Sequence, residues 1–212
     1  MTGVEELYPF LYSKSTDLAP VIEQVSRSTA EKAREIVALR DTMAEQYGAL
    51  LAACAAALAD GFAHGGTLYA FGNGGSSSDA AAVTTTFGQP PRGRPLPAVC
   101  LTGDVCALTA LANDVSYEVV FARQVAAWGK RGDIAVGLST SGGSANVLRA
   151  FEEAARLGMT TVGFAGYDGG KMAQAGTIDY LFTVPSSSVH RIQEAQTTTY
   201  HALWELTQAA LQ

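Results

Sequence analysis

Two short segments combine glycines and hydroxyls in the pattern of an anion-binding turn. "GNGGSSSD" (72–79) follows an apolar run at 67–71, and "STSGGSAN" (139–146) follows another at 133–138. Each stands where a buried strand would end and a helix begin. Glycine there lets backbone N–H groups approach an anion closely, and the helix N-terminus adds a favourable dipole. The serine and threonine hydroxyls complete a shell suited to phosphate or sugar oxygens. Neither loop holds the lysine of a Walker motif. The dinucleotide fingerprint needs a third glycine where Ser77 stands, and no acidic ribose partner ends the next strand, "PAVCL". What remains is a monophosphate carrying hydroxyl-rich cargo.

The elements that must position these loops follow from periodicity. Apolar runs at 67–71, 97–101, 133–138, 160–164 and 179–184 alternate with amphipathic segments at 78–87, 104–112, 117–129, 144–157 and 170–175. A long helix over about 190–211 closes the chain. Such alternation implies a parallel sheet covered on both faces. The expected fold is α/β, a three-layer sandwich with a five-stranded parallel sheet. Ligands in open sheets of this kind bind at the C-terminal edge of the strands, beside the point where strand order reverses.

Ahead of Gly66 no segment reads as a strand. Asp17 with Pro20 behind it reads as a helix entry, and a second helix spans about Asp41 to His64, stopping at Gly65-Gly66. An N-terminal helical hairpin over 1–65, part of an oligomer core, is therefore expected before a domain at 66–212. The alanine-rich "GALLAACAAALADGF" suggests close helix packing, within the chain or against a second subunit.

Composition excludes several classes. A chain of 212 residues with 48% hydrophobic and 16% charged residues is about one large domain with a closed core. Its net charge of −6, without a basic run, argues against nucleic acid or an anionic membrane as primary partner. No signal-peptide pattern opens the chain, and no apolar run reaches the roughly 18 residues of a membrane span. A cytoplasmic protein with reduced thiols is expected. Cys54, Cys100 and Cys106 lack metal-ligand spacing.

"GNGGSSSDA", "STSGGSANVLRAFEEAARLGMTTVGFAGYDGGKMA" and "HRIQEAQTTTYHAL" resemble the phosphoheptose isomerases of the sugar-isomerase (SIS) domain superfamily. The similarity runs from about residue 48 to the C-terminus. Its most specific parts are S-T-S-G-x-S-x-N-V and G-x-D-G-G-K-M. The resemblance implies a flavodoxin-like SIS domain in a homotetramer. The implied partner is a phosphorylated sugar, sedoheptulose 7-phosphate, interconverted with an aldose 7-phosphate. Ser139, Thr140, Ser141 and Ser144 match the family's phosphate-gripping hydroxyls. Asn73, Gly74, Gly75 and Ser76 match its sugar-contacting turn, as does Asp104 in "LTGDV". Gln193 and His201 match two residues at the catalytic centre. Eight residues separate them on the last helix, about two turns and 12 Å of rise, so both could face one cleft edge.

The departures bear on mechanism. The family's helix after the glycine turn carries a histidine and, four residues later, a glutamate that is the expected base. Here those positions are Ala82 and Thr86, and the aspartate before R-I-Q-E is His190. An enediol reaction needs a base within hydrogen-bond reach, and His201 can supply one near neutral pH. In zinc-dependent members the ligand set would correspond to Ala82, Thr86, Gln193 and His201. Alanine offers nothing and threonine rarely binds zinc, so neither metal nor other cofactor is expected. The same departures raise an alternative, a non-catalytic sugar-phosphate sensor or scaffold. SIS proteins associated with the bacterial replication initiator resemble the isomerases in this way.

Overall fold

The computed structural model describes residues 18–212, so Asp17, the expected helix entry, lies outside the described residues. The chain divides into two compact units, Met1–Ala38 and Leu39–Gln212. One helix, α1 (Ala19–Ala63), crosses that boundary. The expected hairpin is thus replaced by 45 continuous helical residues. The reason is local. Between Pro20 and Gly48 there is neither glycine nor proline, and "ALRDTMAEQ" around Asp41 is rich in good helix formers. A capping-type residue without a breaker before it does not start a new helix. Pro20 sits in the first turn, where its missing N–H has no intrahelical acceptor to lose. The expected stop does hold: Gly65 adopts φ +80°, and Gly66 N–H donates to the Gly61 carbonyl at 2.9 Å.

Within the second unit, the C-terminal part of α1 lies against its own sheet. Leu51, Cys54, Ala55, Leu58, Ala59 and Phe62 are buried, whereas Gly48, Ala52 and Ala56 face outward. Burial raises the Cys54 thiol pKa well above its ordinary value. The same helix corrects another expectation. By length and composition it does contain a window apolar enough to cross a membrane, and 44% of that window is buried inside the protein.

Five parallel strands form the sheet: β1 (Leu68–Gly72), β2 (Ala98–Cys100), β3 (Ile134–Ser139), β4 (Thr160–Gly166) and β5 (Tyr180–Val184). Their spatial order is β2-β1-β3-β4-β5. The helices between them are α2 (Gly75–Gly88), α3 (Val105–Asp114), α4 (Val120–Trp128) and α5 (Ala145–Leu157), with α6 (Val189–Ala210) closing the chain. Short 3-10 turns cover Tyr117–Val119 and Gly170–Gln174. β1 and β3, in the middle of the sheet, are buried along their whole length, as their unbroken apolar runs require.

An aromatic cluster holds one face of the sheet. Phe71 lies 5.5 Å, centroid to centroid, from both Phe121 and Phe151. Gly137 on β3 makes room for it: an added Cβ would come within 2.5 Å of Phe151 and 2.8 Å of Phe71. On the other side Phe62 of α1 packs on Phe87 of α2, and Tyr47 packs edge-on against Phe182 of β5. The first of these contacts anchors α2, and with it the first glycine turn, to α1, and the second anchors α1 to the sheet.

Candidate functional site

Strand order reverses between β1 and β3. From β1 the chain moves outward to β2, and from β3 it moves the other way to β4 and β5. The two glycine turns follow these two adjacent strands, so they share the crevice at the C-terminal edge of the sheet.

The second turn has the geometry of an anion seat. Ser139 Oγ lies 3.0 Å from Ser144 Oγ and 3.5 Å from Ser141 Oγ, so three hydroxyls converge. Ser144 is the N-cap residue of α5, yet its side chain makes no capping hydrogen bond. The hydroxyl that would ordinarily serve the helix is turned to its fellow serines. First-turn N–H groups of α5 have no intrahelical acceptor, and the dipole adds partial positive charge. Thr140 is half-buried, and its carbonyl accepts from Gly166 N–H at 2.9 Å.

A third loop fastens this turn from behind. It follows β4 and contains Tyr167, which has φ +55° and is alone in positive φ among the described non-glycine residues. Met172 N–H donates to the Gly142 carbonyl at 2.9 Å. A Cβ on Gly142 would stand 2.0 Å from the Gly169 carbonyl oxygen, and one on Gly170 would stand 2.4 Å from that of Ser141. Backbone lies directly on backbone, which only glycine permits. The paired glycines in "YDGGKM" are the sequence signal for this contact, although nothing local says what they meet.

The first turn is braced differently. Asn73 and Asn146 exchange two hydrogen bonds of 2.9 Å through their carboxamides, and Tyr117 donates its hydroxyl to Asn73 Oδ1 at 2.9 Å. The Asn73 side chain therefore ties the two turns together, with one N–H left for a ligand. Asn146 and Tyr117 were not singled out from the sequence, because each is polar for a reason that lies on another element. Gly74 takes φ +55° at the N-cap of α2, and a Cβ there would meet nothing within 4 Å. Ser76 is buried, and Ser77 donates its hydroxyl to Thr102 at 2.8 Å. Asp104 caps α3, its Oδ1 accepting from Ala107 N–H at 2.9 Å.

The last helix brings Gln193 to the first turn but not His201. A Cβ on Gly75 would stand 2.4 Å from Gln193 Nε2, so the carboxamide lies against the bare glycine. Its Nε2 donates to Asp79 Oδ2 at 3.0 Å. Asp79 was overlooked as a site residue. Its carboxyl pKa is raised by burial, against a smaller opposing effect of the Gln193 hydrogen bond. Tyr200 is likewise pushed up by burial, with the Asp79 charge contributing. His201 is exposed and stacks on Tyr200 at 5.1 Å. It stands about two turns, or 12 Å, further from the strand edge than Gln193. His190, in the first turn of α6, is also exposed.

The zinc set of the resembling enzymes does not fit these residues. Gln193 is engaged with Asp79, His201 is two turns away, and Ala82 has no donor atom. Among the described residues no group of three or more His, Cys, Asp or Glu side chains is placed to hold a metal.

Comparison with known proteins identifies the family. Residues 33–166 match the family model for the SIS domain. The phosphoheptose isomerase of Aquifex aeolicus is 42% identical over 188 residues, covering 88% of this chain and 95% of that relative. That of Desulfovibrio desulfuricans is 45% identical over 177 residues, covering 82% and 83%. The solved phosphoheptose isomerase of Francisella tularensis superposes with a TM-score of 0.78 at 30% identity, over 89% of this chain and 98% of that one. The enzyme from Neisseria gonorrhoeae gives 0.76 at 35%, over 89% and 99%. Similar to these enzymes in sequence and in fold over most of its length, the chain belongs to the phosphoheptose isomerase family of SIS-domain proteins.

Proposed function

We propose that the protein binds a ketose phosphate of the sedoheptulose 7-phosphate class and interconverts it with the aldose 7-phosphate through an enediol. The observation that carries this reading is the convergence of Ser139, Ser141 and Ser144 at the N-terminus of α5, beside a second glycine turn. Phosphate oxygens accept from these hydroxyls and from first-turn N–H groups. The sugar then extends over Gly74 and Gly75, where Gln193 and the remaining Asn73 N–H can meet its hydroxyls. The direct test is purified protein with sedoheptulose 7-phosphate, followed by NMR. Aldose formation is the expected result, and binding without turnover would favour the non-catalytic reading. That second reading rests on Ala82 and Thr86, which place no acid or base on the middle of α2.

In this reading the working unit is a homotetramer. The outward face of α1 presents Gly48, Ala52 and Ala56, small enough for close helix contact, and its N-terminal part exposes Ile22 and Val25. His201 is too far along α6 to reach a sugar at its own turns, so its part in the reaction requires a neighbouring copy. Light scattering should report a tetramer at micromolar concentration; a stable monomer would contradict the assembly.

The reaction is also proposed to be independent of zinc, because the residues at the zinc positions do not fit. Chelators should leave the isomerase rate unchanged. Near-stoichiometric zinc in untagged protein, lost on His201→Ala, would overturn this.

A further inference from the structure

We propose that Asp79 is the proton-transferring carboxylate of this site, an assignment that rests on the isomerase reading above. Asp79 is the sole carboxylate on α2 and lies one turn into it, four residues after Gly75. Other carboxylates at the strand edge are occupied. Asp104 caps α3, Asp168 accepts from Gly170 N–H, and Glu118 pairs with Arg149. Asp79 differs from these exposed groups in being half-buried and in being held by the side chain of a distant helix. Its Oδ2 is fixed by Gln193 Nε2 at 3.0 Å, and no further hydrogen bond to its carboxylate is found among the described residues. One oxygen is oriented and the other is available.

The surroundings match that use. Gly75 carries no side chain, so Gln193 can lie across it and reach Asp79. Tyr200, seven residues beyond Gln193 on α6, lies near enough for the Asp79 charge to act on it, and among the described residues no lysine or arginine is bonded to the carboxylate. A half-buried carboxylate without a cationic partner is a stronger base than one held in an ion pair. Thr86 stands seven residues further along α2, about 10 Å from Asp79 along the axis. The base would thus have moved two turns toward the strand edge.

The step balances without a co-reactant. Asp79 Oδ1 takes a proton from C1 of the bound ketose, and the C–H electron pair becomes the C1–C2 double bond. The C2 carbonyl oxygen takes a proton from water, giving the enediol. The O1 proton then returns to water as C1 becomes a carbonyl, and the carboxylic acid of Asp79 delivers its proton to C2.

The test follows sedoheptulose 7-phosphate in D2O by NMR, reading deuterium at C1 and formation of the aldose. Asp79→Asn keeps an acceptor for Gln193 but removes the base. Exchange should fall by about 10²–10⁴-fold, the ordinary worth of an acid-base group, with the sugar-phosphate Kd from calorimetry unchanged. Asp79→Ala should recover exchange with added formate, in a concentration-dependent way. Wild-type exchange in Asp79→Asn, or an Asp79→Ala protein that binds sugar yet stays inert in formate, would overturn the assignment. Wild-type protein that binds the sugar yet forms no aldose and exchanges no C1 hydrogen would overturn it together with the isomerase reading, so the two failures are told apart.

Discussion

Protein carrying Ser141→Ala and Ser144→Ala should bind sedoheptulose 7-phosphate at least tenfold more weakly than the wild type in calorimetry. In the proposed site each hydroxyl removed would donate to a doubly charged phosphate, and hydrogen bonds to charged groups contribute about 1.5–3 kcal/mol. A loss of about 1.4 kcal/mol is already tenfold in Kd. The fold should be unaffected. Replacing an N-cap serine usually costs about 1 kcal/mol of helix stability, but Ser144 makes no capping hydrogen bond to lose. Weakened binding with an unchanged melting temperature is therefore the expected signature. Unchanged affinity would remove this turn from the site.

Gly142→Ala should do more damage than its single methyl suggests. At φ +62° an L-residue is strained, and the new Cβ would stand 2.0 Å from the Gly169 carbonyl oxygen. Left-handed backbone costs about 1–2 kcal/mol for a residue other than glycine, and relieving the overlap forces the two loops apart. For a chain of this size each kcal/mol lowers Tm by about 2–4 °C. Sugar-phosphate binding should fall as well, because Ser141 moves with the loop. Gly143→Ala is the control: its Cβ would meet nothing nearer than Ser141 Oγ at 3.7 Å. If the two variants melt and bind alike, the backbone clamp is not what holds the phosphate turn.

Much of the molecule was legible before its structure. The runs at 67–71 and 133–138 became β1 (Leu68–Gly72) and β3 (Ile134–Ser139), each shifted by a single residue. These are local signals: a buried strand is a short apolar run, and a strand-helix turn needs glycine where it is made. The segment expected as one helix over 117–129 begins instead as a 3-10 turn, Tyr117–Val119, with Ser116 accepting from Glu118 N–H at 3.1 Å. The helical hairpin was misjudged because Asp41 resembles a cap, and only a preceding breaker would have made it one.

By itself the sequence determined that two hydroxyl-bearing glycine turns follow buried strands, that no lysine or dinucleotide pattern accompanies them, and that alanine and threonine stand at 82 and 86, where the family resemblance implies a histidine and a glutamate. These are statements about residue type and near neighbours, and they survive any packing. The tertiary structure decided what the turns do together. It made β1 and β3 adjacent, joined Asn73 to Asn146 across 73 residues, and laid Gly142 on Gly169. It also brought Gln193 to Asp79 across 114 residues while leaving His201 outside. Each of these is a contact between distant segments, set by strand order and helix packing. The polar atoms involved carry no local mark of their partners, since a carboxamide or carboxylate reads the same in sequence whether it faces water, a helix end or another loop.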